Sequence, residues 1–231
     1  MKNLCIIPAR GGSKRIPRKN IKPFMGKPII AYSIEAALKS GLFDEVMVST
    51  DDEEIVQVAK QYGATIPFLR SEETANDYAG LNEVIAEVIK RYKARGKSFD
   101  NVCCILSTAP LLQSEDLAAS YQKLIETKFE CVYPIVEFSY PILRSLVFNQ
   151  QGEVVMKWPE YSNTRSQDLE PCYHDAGSFY WIDCKAYERD YSFDSLKCSG
   201  YILDPIKVQD IDTESDWQFA EMKYSFINKG E

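Results

Sequence analysis

The sequence predicts an α/β fold, a Rossmann-like and mostly parallel sheet with helices on both faces. Short apolar runs alternate with amphipathic stretches of helix length, which is the order expected when crossover helices connect parallel strands. The chain has 231 residues, of which 45% are hydrophobic, and this is enough for one globular domain with its own core. We therefore expect a single domain over residues 1–231, interrupted by a small antiparallel excursion at about residues 138–173.

The first three elements are predicted from run length and from the residues that start and stop helices. Residues 4–7 form a continuous apolar run, typical of a strand that is buried on both faces. Residues 29–39 are predicted to be helical, because Pro28 can occupy the first turn and Gly41 follows the end. Residues 45–49 are the second predicted strand.

Two amphipathic helices come next. Residues 52–62 begin with acids, which favour a helix N-terminus, and are followed by Gly63. Residues 81–93 carry apolar side chains at helical spacing. The same criteria predict the remaining regular elements, which are strands at 102–106, 131–136 and 178–182 and helices at 115–127 and 213–228.

The alternation of strand and helix breaks between residues 138 and 173. Residues 143–148 and 153–158 have the form of an antiparallel pair joined through Gln151 and Gly152. No repeat or linker sets this stretch apart, so we expect a flap or dimer arm rather than a second domain. Shorter extended segments are predicted at 201–203 and 207–211.

Charge is distributed unevenly along the chain, whose formal net charge is −7. The first 34 residues hold eight cations and no acid, so the acidic excess lies entirely in the remainder. An acidic protein with one basic pocket suits a small anionic ligand. It does not suit nucleic acid, which usually meets a broad basic face.

The apolar runs and the cysteines indicate the compartment. No run is long enough for a signal-peptide core or a membrane span. The seven cysteines are odd in number and include no C-x-x-C pair, so neither a disulfide framework nor a zinc site is predicted. We expect a cytoplasmic protein without membrane association. The single histidine, His174, excludes a multi-histidine metal centre.

A basic loop with two glycines, residues 9–20, follows the first predicted strand directly. In open α/β sheets ligands bind beyond the carboxyl ends of strands, which is where this loop lies. Gly11 and Gly12 would let the backbone approach phosphate oxygens, while Arg10, Lys14 and Lys19 would neutralise charge. The loop fits neither the Walker A pattern nor G-x-G-x-x-G. The alternative is a solvated loop, disfavoured because six cations within residues 10–22 repel one another unless an anion is bound.

Two aspartates near the end of the chain, Asp210 and Asp212, are the candidate metal ligands. On an extended segment residues two apart share a face, so both carboxylates would point the same way while Ile211 packs opposite. Two carboxylates beside a triphosphate make a Mg²⁺ site that phosphate oxygens and water complete. The alternative is that Asp212 caps the helix that opens at Thr213, where residues 213–216 have the capping-box form.

Residues 6–21, IIPARGGSKRIPRKNI, resemble the signature of the nonulosonate (sialic-acid-type) cytidylyltransferases. These enzymes couple CTP to a nine-carbon 3-deoxy acidic sugar. The resemblance continues at residues 51–55, 68–71, 108–111, 165–169 and 210–212, so it covers nearly the whole chain. It implies a Rossmann-like nucleotidyltransferase whose partners are CTP, the acidic sugar and a second copy of the chain in a homodimer.

The resemblance also implies roles for individual residues. Those that would hold the nucleotide are Ala9, Arg10, Gly11, Gly12, Ser13, Lys14, Lys19, Asn20 and, at the cytosine, Arg70. Those that would contact the sugar are Thr108, Arg165, Gln167, Tyr173 and Asp175. Those that would carry catalysis are Arg10, Lys14, Lys19, Asp210 and Asp212, with Mg²⁺ bound by the last two. For Arg70 the alternative is an ordinary surface charge at a strand end.

The sugar is indicated by residues 173–181, YHDAGSFYW, which are similar to the pseudaminic acid enzymes of the family. In addition, Leu106 stands where the N-acetylneuraminate enzymes carry a sugar-contacting glutamine. A less polar pocket suits a sugar that lacks a terminal hydroxyl. Legionaminate, N-acetylneuraminate and a non-catalytic nucleotide-binding module remain alternatives. Strand-edge structure is the alternative role for Tyr173 and Asp175.

Overall fold

A computed structural model describes residues 1–13, 15–76 and 78–229 of the chain. Its strands are β1 Asn3–Pro8, β2 Pro23–Phe24, β3 Lys27–Pro28, β4 Glu45–Ser49, β5 Asn101–Ile105, β6 Cys131–Glu137, β7 Leu146–Phe148, β8 Val154–Met156, β9 Tyr173–Asp175, β10 Phe179–Asp183 and β11 Cys198–Ile202. Its helices are α1 Ile29–Ser40, α2 Glu53–Gln61, α3 Glu72–Ala75, α4 Leu81–Ala94, α5 Ser114–Glu126, α6 Cys184–Tyr187 and α7 Glu214–Ile227.

The central sheet has the order β11-β6-β10-β5-β1-β4, and β9 pairs with β6 beyond the start of β10. Strands β1, β4 and β5 run parallel, as do β6 and β11. Strand β10 is antiparallel to both of its neighbours, β5 and β6. The predicted mostly parallel α/β sheet is therefore confirmed, with β10 reversed near its centre and the short β9 antiparallel to β6.

Helices cover both faces of the sheet, as the uninterrupted apolar run in β1 predicts. Cys5 and Ile7 pack on one face with apolar residues of α1, α2 and α5. Leu4 and Ile6 pack on the other with residues of α4 and α6. Because side chains alternate along a strand, burial on both faces requires every residue of the run to be apolar.

A third apolar cluster joins the basic loop to the last helix. Ile16 from the loop and Ile211 are both fully buried, and they pack with Phe24 and with Trp217 of α7. The rings of Phe24 and Trp217 meet edge to face with centroids 5.5 Å apart. This cluster brings residues 210–214 beside the basic loop, although almost 200 residues separate the two along the chain.

The excursion between residues 138 and 173 contains the predicted antiparallel pair, in a shorter form. Strands β7 and β8 pair over three residues each, with Leu146 opposite Met156 and Phe148 opposite Val154. All residues of this stretch are described, and none of them is buried. Both ends are held in the central sheet, by β6 and by β9.

Two sequence-based expectations need correction. The extended segment predicted at 207–211 begins one residue too early, because Lys207 ends a 3₁₀ turn, Pro205–Lys207, while Val208 is extended with φ −120° and ψ 123°. The turn is capped by Asp204, whose carboxylate accepts from the Ile206 N–H at 2.9 Å. The strand predicted at 178–182 exists but runs antiparallel to its neighbours. An apolar run predicts burial and not direction, so the sequence carried no signal for this reversal.

Candidate active site

The carboxyl ends of β1, β4 and β5 meet at one edge of the sheet, and the segments that follow them enclose a cleft of about 520 Å³. The cleft brings together residues from three distant parts of the sequence. The predicted site residues that line it are Arg10, Ser13, Lys19, Asn20, Arg70 and Thr108. Leu106 lines it too, as its proposed effect on sugar choice requires.

The basic loop is braced from inside by Asn20, which is 8% exposed. The Asn20 side-chain amide donates to the Arg10 carbonyl at 2.9 Å, and the Ser107 hydroxyl donates to the Asn20 side-chain oxygen at the same distance. Ala9 continues the sheet by donating to the Ser49 carbonyl at 2.9 Å. The structure therefore gives Asn20 a supporting role, and its direct contact with a nucleotide stays a prediction.

Acids from the end of the chain neutralise part of the basic loop. Arg15 pairs with Asp212 at 2.7 Å, and Lys22, just beyond the loop, pairs with Glu214 at 2.7 Å. Repulsion among the described cations is thus relieved in part by the protein itself, so the number of cations alone does not require a bound anion. Lys14, which the resemblance places on the phosphates, lies outside the described residues.

Gly11 lies against two aspartates that follow β4. Its N–H donates to an Asp51 carboxylate oxygen at 3.1 Å, and a Cβ at Gly11 would stand only 2.6 Å from Asp52 Oδ2. A Cβ at Gly12 would meet nothing within 4 Å. Packing therefore requires glycine at position 11 and does not require it at position 12.

Arg18 forms a two-pronged ion pair with Asp52, which sequence reasoning missed. The Arg18 Nη2 donates to Asp52 Oδ1 at 2.9 Å, and its Nη1 donates to the other oxygen. This guanidinium lowers the pKa of Asp52 to about 2. Desolvation of the carboxylate opposes the shift, and the backbone N–H groups of Ile55 and Glu54 add to it. The available signal was the run of four acids, residues 51–54, directly after the second strand, since loops at this edge meet.

Arg70 is 8% exposed and lines the cleft, so the alternative of an ordinary surface charge is wrong. Its guanidinium donates to the Thr74 carbonyl in α3, and the Thr74 hydroxyl donates in turn to Glu87 of α4. Burial lowers the pKa of Arg70, while the charges of Asp51 and Glu87 oppose that shift. A buried, fixed guanidinium can present donors to a polar ligand at little entropic cost.

Asp210 and Asp212 flank Ile211 and stand beside the cleft's Lys19. The Lys19 ammonium donates to the Ile211 carbonyl at 2.6 Å and lies 3.6 Å from Asp212 Oδ1. Desolvation by the surrounding protein, and then the charge of Asp212, raise the pKa of Asp210. The charge of Asp212 therefore disfavours ionisation of Asp210, and a bound cation would relieve this.

Asp212 does not cap α7, so that alternative is wrong. Thr213 is the N-cap, and its hydroxyl accepts from the Asp216 N–H at 3.3 Å while Asp216 accepts from the Thr213 N–H at 2.7 Å. Asp212 instead faces Arg15 and Lys19.

The carboxylates of Asp210 and Asp212 fit Mg²⁺, which takes one or two protein carboxylates and completes its octahedron with phosphate oxygens and water. Among the described residues no group of three or more His, Cys, Asp or Glu side chains could hold a metal. A protein cage of the calcium type is thus absent from that part of the chain. A site shared with a triphosphate is what this donor set suits.

Of the five predicted sugar residues, all of them described, Thr108 lines the cleft and the other four do not. Tyr173 and Asp175 lie on β9, where Asp175 accepts from the Tyr180 hydroxyl at 2.7 Å and from the Gly177 N–H at 2.7 Å. Burial first, then Asp175 and more weakly Asp210, raise the pKa of Tyr180. Tyr180 thus holds Asp175 of β9 in place, a contact that sequence reasoning missed.

Arg165 and Gln167 lie on the excursion, away from the cleft. Arg165 pairs with Asp168 at 2.6 Å, and its side chain is 73% exposed. Gln167 belongs to the 3₁₀ turn Ser166–Asp168. The structure does not bring either residue to Arg10 or Thr108, so their contact with the sugar stays a prediction.

The profile of the cytidylyltransferase family matches residues 4–177, which include most of this cleft. The chain belongs to the cytidylyltransferase family. This cytidylyltransferase is 48% identical over 225 residues to a pseudaminic acid cytidylyltransferase of Campylobacter jejuni subsp. jejuni serotype O:2, an alignment that covers 97% of each chain. It is 36% identical over 230 residues to a CMP-N,N'-diacetyllegionaminic acid synthase of Legionella pneumophila, covering 96% and 95% of the two chains.

Among solved structures, the cytidylyltransferase resembles a CMP:2-keto-3-deoxy-manno-octonic acid synthetase complexed with CTP. The TM-score is 0.71 at 18% sequence identity, over 98% of this chain and 100% of the other. That likeness confirms the α/β fold. Among the described residues, no helix of the cytidylyltransferase is both long and apolar enough to cross a membrane.

Proposed function

We propose that this cytidylyltransferase transfers CMP from CTP to the anomeric 2-hydroxyl of pseudaminic acid. The hydroxyl oxygen forms a bond to the α-phosphorus of CTP, the bond to pyrophosphate breaks, and the hydroxyl proton is released. The products are CMP-pseudaminic acid and pyrophosphate. The observation that carries the proposal is the similarity, over nearly its full length, to a pseudaminic acid cytidylyltransferase.

The basic loop would bind the triphosphate. Arg10, Ser13 and Lys19 line the cleft at the carboxyl end of β1, and Lys14 belongs to the same loop in the sequence. Cations fixed before the substrate arrives stabilise negative charge as it develops on the leaving phosphates. Asn20 holds the loop to Ser107, so its donors need little reorganisation when CTP binds.

Arg70 would recognise the cytosine. Cytosine offers a carbonyl oxygen and a ring nitrogen as acceptors, and a guanidinium presents several donors in a fixed plane. The Thr74 carbonyl and burial hold that plane at the wall of the cleft. Bound near the phosphate loop, the base would place the α-phosphorus between the two groups of residues.

Asp210 and Asp212 would hold Mg²⁺. When bound, Mg²⁺ supplies Lewis-acid stabilisation of charge on the phosphate oxygens. Lys19 donates to the Ile211 carbonyl between the two aspartates, so the protein fixes the carboxylates and a phosphate-binding cation to each other. Without the metal, the ion pair with Arg15 balances the charge of Asp212.

Leu106 supports pseudaminic acid over its relatives. Its side chain faces the cleft, where an apolar group accepts a methyl and offers no hydrogen bond to a terminal hydroxyl. A site built to hydrogen-bond a hydroxyl rejects the analogue that lacks it, whereas an apolar site rejects the hydroxyl only weakly. The same reaction on legionaminic acid is the second candidate, and the Legionella relative is the observation that favours it.

The chain would act as a homodimer in the cytoplasm. Support for the dimer comes from the excursion, whose exposed apolar side chains include Tyr140, Leu146, Phe148 and Val154. Clustered exposed apolar groups usually mark a surface that a partner covers. Support for the cytoplasm comes from the cysteines, which are free, with Cys198 exposed.

The test is a substrate panel. The purified chain is incubated with CTP, Mg²⁺ and pseudaminic, N,N'-diacetyllegionaminic or N-acetylneuraminic acid, and pyrophosphate release is measured. We expect the highest kcat/KM with pseudaminic acid. Turnover of another sugar with none of pseudaminic acid would overturn the sugar, and no turnover with any sugar would overturn the reaction.

A further inference from the structure

We propose that Asp52 is a positioning residue, which holds the Arg18 end of the basic loop while the Gly11 end packs against it, and which so presents the donors of the loop to the triphosphate. The proposal rests on the proposed transfer of CMP from CTP. Asp52 contacts Gly11 at the start of the segment 11–18 and Arg18 at its end. The described residues Ser13 and Arg15 lie between these two contacts in the sequence.

Gly11 lies so close to Asp52 that a side chain at position 11 would collide with the carboxylate. A Cβ there would lie 2.6 Å from Asp52 Oδ2, 3.1 Å from its Cβ and 3.2 Å from its Cγ. The neighbouring Asp51 accepts from the Gly11 N–H. The backbone at this end of the segment is therefore seated on the two aspartates, next to Arg10 in the cleft.

The contact with Arg18 stabilises an unfavourable backbone conformation at Arg18 itself. Arg18 has φ 54° and ψ 30°, in the left-handed region that non-glycine residues rarely enter. Its guanidinium meets Asp52 with two parallel hydrogen bonds, the geometry with most directional restraint. The next residue is Lys19, so the ion pair also fixes where that ammonium enters the cleft.

Asp52 can restrain the segment because it is itself fixed. Its Oδ1 accepts from the N–H groups of Glu54 and Ile55, each at 3.0 Å, which makes it the N-cap of α2. Ile55 is 1% exposed and packs in the core. The segment is therefore attached to a helix that the sheet holds in place.

If Arg18 instead binds phosphate directly, loss of Asp52 should have the opposite effect on CTP binding. If Arg18 left Asp52 to bind phosphate, Asp52 would compete with CTP and its removal would strengthen binding. If Asp52 positions the segment, its removal weakens binding, and removal of Arg18 weakens it to the same degree.

The test variant is Asp52→Asn, which separates the cap from the ion pair. Asparagine keeps the oxygen that accepts from Glu54 and Ile55 and is as good an N-cap as aspartate. It replaces Oδ2, which accepts from Arg18 Nη1, by an amide that cannot accept. The negative charge and one of the two hydrogen bonds to Arg18 are lost, while Nη2 can still donate to Oδ1. Arg18→Gln breaks the same pair from the other side, and the double variant tests coupling. Glu54→Gln is the matched control, because Glu54 also touches Arg18 but is 68% exposed.

For Asp52→Asn and for Arg18→Gln we expect KM for CTP to rise about tenfold with kcat within about threefold, as for a loss of binding common to ground and transition states. The double variant is expected to match either single one, and Glu54→Gln to match wild type. Without substrate, and well below the melting temperature of each variant, tryptic cleavage after Arg15 should accelerate in both single variants.

Tighter CTP binding by Asp52→Asn, or a much larger loss in Arg18→Gln than in Asp52→Asn, would overturn the proposal, as would unchanged KM and cleavage. The proteolysis needs no turnover, so it separates this inference from the proposed function. If the wild-type chain transfers no CMP, faster cleavage in both variants still supports the restraint by Asp52. Equal cleavage rates then reject it.

Discussion

The basic loop and the excursion at residues 138–173 are both polar connections, yet their surroundings differ. The loop is tied to the rest of the chain by Asn20, Arg15 and Arg18, and its Ile16 is fully buried. In the excursion, all of which is described, no residue is buried, and Phe148 is 76% exposed. The loop is completed within one chain, whereas the excursion leaves apolar surface uncovered.

The difference separates two requirements of the proposed reaction. Phosphate chemistry needs charges fixed in advance, and the loop meets this need through contacts with residues 52, 107 and 212. An arm that joins two copies needs apolar surface that stays exposed in the single chain. Changes at the loop should therefore act on turnover, and changes at the excursion on assembly.

The largest effect is expected at Asp210 and Asp212, the aspartates beside the basic loop that would hold the metal. Asp210→Ala or Asp212→Ala should lower turnover by about 1,000-fold or more, because Mg²⁺ would lose one of two protein ligands while the transition-state charge remains. CTP binding, measured by calorimetry, should persist in part through the basic loop. Asp204→Asn, in the same segment but capping a turn, should behave as wild type. Wild-type rates in both alanine variants would remove the metal assignment.

The next effect tests the excursion as an interface. Leu146→Glu combined with Phe148→Glu should weaken self-association by about 100-fold, since an unpaired charge buried in an interface costs about 3 kcal/mol. Light scattering over a range of concentrations should change from the mass of two chains to that of one. Ile125→Glu, an exposed apolar position on α5, is the control. A wild-type chain that is already a monomer would contradict the interface.

A smaller effect is expected at Arg70, which lines the same cleft as the loop. Arg70→Lys keeps the charge and loses the planar donors, so KM for CTP should rise about 10- to 50-fold, as expected for a hydrogen bond from a charged group. The measurement is initial rate against CTP concentration, with UTP as competitor to report base discrimination. Arg95→Lys, which alters an arginine over Phe68 away from the cleft, should change little. Equal effects in the two variants would show that Arg70 is structural.

The smallest effect is on stability at low pH. Arg18 lowers the pKa of Asp52 from its ordinary 3.8 to about 2, so the pair stabilises the fold above pH 4. That contribution is lost as pH falls from about 4 towards 2, as the carboxylate takes up a proton. Between pH 6 and pH 2 the melting temperature should therefore fall less in Asp52→Asn than in wild type. Identical profiles would show that the unfolded chain keeps the pair.

Patterns among neighbouring residues predicted much of the fold and both parts of the site, the basic loop and the pair Asp210 and Asp212. The apolar run of residues 4–7 followed by glycines predicted β1 and the loop, and the spacing of Asp210 and Asp212 about Ile211 predicted which residue is buried. Both depend on periods of two residues and on turn chemistry, which neighbours along the chain determine. The family signature then added CTP and the acidic sugar.

Contacts over long distances in the sequence could not be predicted. Nothing near Arg15 or Lys22 indicates that Asp212 and Glu214 neutralise them, because these pairs form only after the sheet and α7 are in place. The burial of Arg70 depends on α3 and α4 in the same way.

The contacts of the basic loop with residues 211–214 also set an order of events during synthesis. Lys19 and its acceptor Ile211 are 192 residues apart, and Arg15 and Asp212 are 197 apart. At typical elongation rates the loop leaves the ribosome roughly 10–40 s before its partners exist. For that interval Arg15 and Lys19 lack these partners, so a functional segment that is translated early is among the last to reach its final structure.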